Sequence, residues 1–204
     1  MKHIIVTRCK FSKEEVFKNY FKVMEKTYIP SINSQTNKNF SIGLICNENH
    51  FDIIKNSINP QIKLIRFSEV KKDYREYVIN NQITIQTRHD CDDYMSSNYI
   101  EFIQNKYEEN KKKYNDFILN FHPTKFIFEN KKEFSHSRDY SKVCSMFSTL
   151  IQNRVTNGIH DVVHDHLKQF TKNIIYIPPS GIVKLVIHGN NTLSKLNPND
   201  KPLN

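Results

Sequence analysis

Three aspartates within four positions are the residues of this chain best suited to chemistry. Asp90, Asp92 and Asp93 follow a short alternating segment, residues 82–87, that predicts a strand. Carboxylates this close repel one another in a folded protein, and a hard divalent cation usually offsets that repulsion. Because open α/β sheets bind ligands at the carboxyl ends of their strands, the cluster predicts a Mg²⁺ or Mn²⁺ site that holds a diphosphate.

The spacing of the acidic residues suggests how they would share this task. In an extended chain Asp90 and Asp92 project to the same side while Cys91 points away, which gives a two-carboxylate grip on a cation. Mg²⁺ and Mn²⁺ commonly take one or two protein carboxylates and complete their shell with phosphate and water. The plainer alternative is that Asp92 and Asp93 only cap the next helix, but a cap needs one acid rather than three.

Composition places the chain among soluble globular proteins of one domain. It has 204 residues, 38% hydrophobic and 25% charged, with a formal net charge of +9. The apolar run at the N-terminus is too short for a signal peptide, and no run approaches bilayer-spanning length, so we expect a cytoplasmic protein that could reach a membrane surface only peripherally. The lysines are mostly dispersed and not interleaved with aromatics, so no nucleic acid partner is expected.

Apolar periodicity predicts the order of the secondary structure. Strands are expected over residues 3–7, 40–46, 63–67, 82–87, 116–121, 125–128, 174–177 and 183–187. The alternation of strands and helices in the first half predicts an α/β fold with a mostly parallel sheet. The strands at 116–121 and 125–128 are expected to pair as an antiparallel hairpin, and the polar end from Thr192 is expected to be a loose tail.

Helices are expected between these strands. A capping box at residues 12–15 begins one that runs to about Ile29, where Pro30 limits its extension. A short helix is expected near residues 50–58, and a longer one leads from residue 96 or 97 towards Tyr114. The four cysteines are far apart and form no CxxC pair, which indicates free, mostly buried thiols.

Four segments together resemble the putative rhamnosyltransferase family, glycosyltransferases of the GT-A fold. The motif Arg-x-Asp-x-Asp-Asp at residues 88–93 is similar to the family's acidic signature. Residues 28–40 resemble its stretch between the first helix and the second strand, and residues 118–123 its strand after the acidic helix. Residues 186–191 resemble its closing histidine motif, so the resemblance spans residues 3–193.

The resemblance implies a single Rossmann-like GT-A domain over residues 1–204, with helices on both faces of the sheet and an antiparallel element. Residues 1–94 would bind the nucleotide sugar, residues 95–193 would complete the sheet and the acceptor side, and residues 194–204 would form a tail. The implied reaction moves a sugar from a nucleoside-diphosphate sugar to a hydroxyl of a glycan, lipid-linked or protein acceptor. It would depend on Mn²⁺ or Mg²⁺, and both inverting and retaining chemistry would fit.

The resemblance also implies three kinds of site residue: metal ligands, nucleotide contacts and a group at the sugar or the metal. The implied metal ligands are Asp90, Asp92 and His188. The implied nucleotide contacts are Thr7, Arg8, Arg88 and Asp90. Asp93 is the group at the sugar or the metal. Neutral imidazole suits Mn²⁺, and Gly189 after His188 permits close backbone approach. The alternatives are an ordinary strand-end histidine at His188 and a surface arginine at Arg8.

A general base is expected among the histidines after Gly158. His160 and His164 are four positions apart on an expected helix and would share a face. Such a pair can bind zinc, but the sequence offers no evident third ligand. Next to aspartates, His164 or His166 could instead take the proton of an acceptor hydroxyl. A solvated polar helix face is the plainer alternative.

Two other functions fit part of the pattern. Clustered aspartates, His-Asp pairs and a basic charge would also suit a metal-dependent nuclease or phosphohydrolase. A non-catalytic module that binds polyanions would need only the basic charge. The order of the family-like segments favours the glycosyltransferase.

Overall fold

Buried strands that alternate with helices build a large central sheet. The computed structural model describes residues 1–9, 11, 13–59, 63–67, 72–140, 143–188 and 195–203. The helices are α1 Glu14–Met24, α2 Tyr28–Asn33, α3 Glu48–Ser57, α4 Lys72–Asn80 and α5 Tyr99–Asn110, with a 3₁₀ helix at His164–Gln169. The strands are β1 His3–Cys9, β2 Ser41–Cys46, β3 Lys63–Phe67, β4 Ile85–Asp90, β5 Tyr94–Met95, β6 Asp116–Phe121, β7 Thr124–Ile127, β8 Glu133–Phe134, β9 Thr149–Gln152, β10 Ile174–Ile177 and β11 Val183–Ile187.

Seven strands form the large sheet in the order β10-β6-β9-β4-β1-β2-β3. All neighbours are parallel except β9, which pairs antiparallel with both β4 and β6. Side chains of β1 alternate between two cores: Ile5 packs with α1, α2 and α5, whereas Ile4 and Val6 pack with α4. Helices therefore cover both faces, and the predicted mostly parallel α/β sheet with an antiparallel element is confirmed.

A second sheet of four short strands, β5-β11-β7-β8, lies beside the first. The expected hairpin between residues 116–121 and 125–128 is wrong, because β6 pairs with β9 and β10 while β7 pairs with β11 and β8. The chain passes from one sheet to the other at His122-Pro123, where the proline has no N–H for a hairpin ladder.

The first expected helix divides into two. α1 ends at Met24 and α2 begins at Tyr28, so Pro30 lies in the first turn of α2 rather than at a helix end. This position tolerates proline because the first four N–H groups of a helix have no partner within it. Ser12 of the expected capping box lies outside the described residues. The helix α4, which the periodicity did not indicate, completes the alternation of strands and helices.

The other expected strands are confirmed, with no end more than three residues from the expected position, and the four cysteines are free and buried. The helix after the acidic residues is shorter than expected, since α5 ends at Asn110. Among the described residues, none of the helices combines the length and the apolar character needed to cross a bilayer.

The last described segment, residues 195–203, packs against the small sheet. The Asp200 carboxylate is 0% exposed, and its Oδ2 lies 2.8 Å from Nζ of Lys125. Its Oδ1 accepts the N–H of Ser137 at 2.9 Å. Burial alone would raise the pKa of Asp200, but hydrogen bonds from Lys125 and from backbone N–H groups hold it below its usual range. The expected loose tail is therefore wrong for residues 195–203.

The substitution Asp200→Asn tests this buried ion pair. It leaves the Lys125 ammonium buried without a counter-charge, so we expect the free energy of unfolding to fall by about 3 kcal/mol, the typical cost of breaking a buried pair. Denaturant titration measures the change. Glu109→Gln, which breaks the exposed pair between Lys106 and Glu109, is the matched control and should cost less than about 1 kcal/mol. Equal effects of the two substitutions would contradict the prediction.

Buried histidines are a second feature with a consequence for stability. Burial lowers the pKa of His3 and of His160 to about 3, and that of His89 to about 4. In the unfolded chain these groups titrate near 6.5. Below that value the unfolded state binds more protons than the folded state, so protonation favours unfolding.

We therefore expect the free energy of unfolding to fall as the pH is lowered from 6.5 towards 4, and to be independent of these groups above 6.5. Each buried histidine contributes a slope of up to about 1.4 kcal/mol per pH unit. The measurement is denaturant unfolding at several pH values for the wild type and for His3→Gln, which should flatten the slope by one proton. An unchanged slope in His3→Gln would show that His3 does not titrate with folding.

Candidate functional site

The acidic residues form a tight turn at the carboxyl end of β4. We call residues 90–93 the acidic turn, because the N–H of Asp93 donates to the carbonyl of Asp90 at 3.3 Å and closes it. The chain is thus not extended here, and the expectation that Asp90 and Asp92 project together from an extended strand is wrong. β4 lies beside β1, so the turn is at the edge where parallel strands end.

Asp92 meets a histidine from the far end of the sequence. Its Oδ2 lies 3.0 Å from Nε2 of His188, which follows β11 and stands 96 positions later in the chain. The Asp92 side chain is 13% exposed and that of His188 is 2% exposed. The structure thus brings together two of the three predicted metal ligands. Residues 189–191 of the closing motif lie outside the described residues.

Asp93 points into the protein. Its side chain belongs to a residue only 2% exposed, and Oδ1 accepts the N–H of Val186 at 2.8 Å. Burial, followed by the charges of Asp92 and Asp90, raises the pKa of Asp93 well above its usual range. This carboxylate therefore connects the acidic turn to β11.

Asp90 faces a different neighbourhood. Burial raises its pKa, the positive charges of Arg88 and Arg8 oppose this, and the charge of Asp92 adds to it. Arg8 stands opposite Asp90 in the register of β1 and β4, and Arg88 is two residues before it, so all three side chains lie on one face of the sheet. Within the described part of the chain, Nε of Arg88 is buried without a hydrogen-bond partner, which leaves a donor directed at this face.

Thr7 lies beneath the edge rather than on it. The residue is 0% exposed, and its hydroxyl lies 2.7 Å from that of Tyr28. Arg8, the next residue along β1, is exposed. Of the two predicted nucleotide contacts on β1, Arg8 is therefore the one that solvent and a ligand can reach.

Tyr20 is a site residue that the sequence did not indicate. Its ring contacts the ring of His188 edge to face, with 5.0 Å between centroids. Burial, and then the charge of Asp92 ahead of those of Cys91, Asp90 and Asp93, raises the pKa of Tyr20 to about 12. The phenol therefore keeps its proton beside the acidic turn. In the sequence Tyr20 is one of several aromatics at helical spacing, a pattern typical of core residues.

The expected histidine helix is wrong, because the 3₁₀ helix begins only at His164. His160 lies before it, is buried, and does not share a helix face with His164. His164 Nε2 lies 3.2 Å from Oδ1 of Asp165, which also accepts Nη2 of Arg138 at 3.2 Å. Burial, followed by the charge of Arg88, lowers the pKa of His164. His166 is exposed.

These groups fit a cation that shares its shell with a ligand. In the part of the chain that the structure describes, no three His, Cys, Asp or Glu side chains form a group that could hold a metal alone. Asp92 and His188 offer one carboxylate and one imidazole, a donor set that suits Mn²⁺ and leaves positions for phosphate oxygens and water. The donor chemistry of the site is therefore compatible with Mg²⁺ or Mn²⁺ bound together with a diphosphate.

A family model described as putative rhamnosyl transferase matches residues 7–197 of the chain. No curated protein matches the sequence.

Several solved structures are similar in fold. Staphylococcus aureus TarS 1–349 in complex with UDP-GlcNAc superposes with a TM-score of 0.61 at 10% identity, covering 97% of this chain and 62% of that one. The complex with UDP gives a TM-score of 0.58 at 11% identity, covering 92% and 61%. A 4-diphosphocytidyl-2C-methyl-D-erythritol synthase from Anaerococcus prevotii gives 0.50 at 15% identity, covering 87% of both chains.

The chain spans 37% of the longer TarS structure and 61% and 62% of the two 1–349 complexes. At these identities the likeness is one of fold. It confirms a single α/β domain of the GT-A-like type.

The charge of Asp90 is expected to lower the stability of the folded protein. Because the pKa of Asp90 is raised on folding, its ionised form disfavours the folded state. Asp90→Asn removes that cost, and we expect the melting temperature of the EDTA-treated protein at neutral pH to rise by roughly 2–4 °C. The gain should shrink as the pH falls towards 3.8 and vanish below that value, where the carboxylate is protonated in both states.

Asp116→Asn is the matched control for this measurement. Asp116 accepts a backbone N–H from Asn153 at the opposite edge of the sheet, away from the acidic turn. It should give no gain. A lower melting temperature for Asp90→Asn would contradict the prediction. It would show that the attraction of Asp90 to Arg88 and Arg8 stabilises the fold by more than burial and the repulsion from Asp92 destabilise it.

Proposed function

The chain belongs to the putative rhamnosyl transferase family, and from this membership we propose that it transfers a sugar from a nucleoside-diphosphate sugar to an acceptor hydroxyl, with Mg²⁺ or Mn²⁺ at Asp92 and His188. The observation that carries the proposal is the 3.0 Å contact between these two side chains, which stand 96 positions apart in the chain. A carboxylate and an imidazole meet at the sheet edge where open α/β folds bind their ligands.

Uridine diphosphate is the first donor nucleotide to consider. The TarS structures that share this fold were solved with UDP and with UDP-GlcNAc. In this chain Arg8 and Arg88 lie on the face of Asp90, and the buried Nε of Arg88 has no partner among the described residues. A diphosphate at the acidic turn would place phosphate oxygens near both guanidinium groups, which bind them in bidentate fashion.

The proposed reaction follows from these positions. The acceptor oxygen forms a bond to the anomeric carbon while the bond from that carbon to the diphosphate breaks, and the electron pair leaves with the diphosphate. A bound cation supplies positive charge to that leaving group. Arg8 and Arg88 hold the phosphates, and Asp92 and His188 hold the cation in place.

His164 is the residue we propose to take the acceptor proton. Its Nε2 faces Oδ1 of Asp165, so Nε2 carries the hydrogen and Nδ1 keeps a lone pair. Its lowered pKa keeps the ring neutral at physiological pH, as a base requires. Arg138 contacts the same carboxylate at 3.2 Å, from the side of the preceding loop.

A thermal-shift panel tests the proposal. UDP, GDP, dTDP and CMP are each added with Mn²⁺ or with EDTA to the wild type, Asp92→Asn and His188→Gln. A ligand that binds only the folded state stabilises it by about 2.7 kcal/mol at a hundred times its dissociation constant, which raises the melting temperature by a few degrees. We expect one diphosphate to do so, only with Mn²⁺ and only when Asp92 and His188 are present.

Asp116→Asn is the control, since it alters a carboxylate away from the site and should keep the wild-type shift. The absence of a metal-dependent shift for every nucleotide would refute the proposed donor site. In that case Mn²⁺-dependent cleavage of nucleic acid or phosphoesters would indicate the nuclease or phosphohydrolase. Polyanion binding that survives Asp92→Asn would indicate the non-catalytic module.

A further inference from the structure

The strand directly before His188, β11, extends past its neighbour β5. β5 has two residues, and it pairs with β11 only at Val183 and Lys184. Among the described residues, this edge also meets the chain after β5 where the N–H of Ser96 donates to the carbonyl of Ile182 at 2.8 Å. β11 continues beyond this pairing towards His188, where β5 has already ended.

Asp93 replaces the missing part of β5. Val186 is 0% exposed, so its N–H has no access to water and needs a partner inside the protein. The carboxylate of Asp93, the residue directly before β5, accepts this N–H at 2.8 Å. A side chain thus continues the hydrogen bonding that the short strand does not supply.

This bond joins the two segments that carry the Asp92–His188 contact. Asp93 is adjacent to Asp92, and Val186 is two residues before His188, so the bond lies one and two residues from the paired side chains. The other edge of β11 is held by β7 through Ile187 and Ile127. Among the described residues, the Asp93 bond links the backbone of the strand just before His188 directly to the acidic turn.

We propose that Asp93 is a positioning residue, which sets His188 against Asp92 through the Val186 amide and does not itself touch the cation or the sugar. The inference rests on the proposed function for what the Asp92–His188 pair binds. Burial supports it: at 2% exposure, with Oδ1 occupied by the amide, Asp93 offers little surface to a ligand. What the position requires is an acceptor oxygen, not a negative charge.

Two substitutions separate these requirements. Asp93→Asn keeps the Oδ1 acceptor and removes the charge, whereas Asp93→Ala removes both. Positioning therefore predicts that Asp93→Asn binds UDP with Mn²⁺ within about threefold of the wild type. For Asp93→Ala it predicts a loss of about tenfold or more, as for other residues that orient metal ligands. Isothermal titration calorimetry measures the binding.

A second measurement does not need nucleotide. The imidazole nitrogen signals of His188, assigned by their loss in His188→Gln, are recorded by NMR in the metal-free protein. They should keep their wild-type positions in Asp93→Asn and move in Asp93→Ala. Asp116→Asn and Asp116→Ala are the matched pair at a remote carboxylate that also accepts a backbone N–H, and both should leave the His188 signals and the binding unchanged.

The outcomes are distinct. Equal loss of binding in Asp93→Asn and Asp93→Ala would overturn the proposal and give Asp93 a charged role at the cation or the sugar. Wild-type behaviour of Asp93→Ala in both measurements would overturn it as well, because the amide bond would then not position His188. If the wild type binds no nucleotide with Mn²⁺, the proposed function fails, and the His188 signals still decide the role of Asp93.

Discussion

Crowding of carboxylates at the end of β4 is the constraint on which the site depends. Three of them lie within one turn, and each is accommodated by a different partner. Asp90 faces the guanidinium groups of Arg88 and Arg8, Asp92 meets the imidazole of His188, and Asp93 accepts a buried backbone amide. The three side chains thus point to three different partners, which limits their mutual repulsion. Of the three, Asp90 and Asp92 are partly exposed, as binding a ligand requires, and Asp93 is buried.

This distribution explains why the protein needs a second sheet. Two of the three partners come from β11 and the residue after it, which belong to the small sheet and follow the acidic turn by more than ninety positions. β5 follows the turn directly and pairs with β11, so the turn leads from the large sheet into the small one. The end of β4 is therefore one of the places where the chain joins the two sheets.

Residues outside the acidic turn and β11 also contact the small sheet. The crossing at His122-Pro123 takes the chain from β6 in the large sheet to β7 in the small one, beside β11. The closing segment packs on the small sheet through the buried pair of Asp200 and Lys125, and Asp200 also holds the loop at Ser137. That loop leads to Arg138, which forms an ion pair with Asp165 in the 3₁₀ helix that carries His164. The closing segment is thus connected to the 3₁₀ helix through one loop.

The sequence by itself determined the elements and the acidic centre of the site. Periodicity and composition are local properties, so they located eight of the strands, the α/β class and the three aspartates, and the order of motifs pointed to the family. Where a tertiary partner decides the conformation, local pattern was insufficient. Pro30 lies inside a helix, residues 116–128 join two sheets, and residues 195–203 are anchored by a buried charge.

Only the tertiary structure decided which residues meet. The sequence predicted a role for His188 but not its contact with Asp92. The two residues are 96 positions apart, and local sequence patterns do not predict contacts over that distance. Tyr20 was hidden among core-like aromatics until the fold placed it against His188. In the sequence, nothing but position distinguishes Asp93 from Asp90 and Asp92. The fold turns it inward because the short β5 leaves a buried N–H of β11 without a strand partner, and a buried amide requires an acceptor.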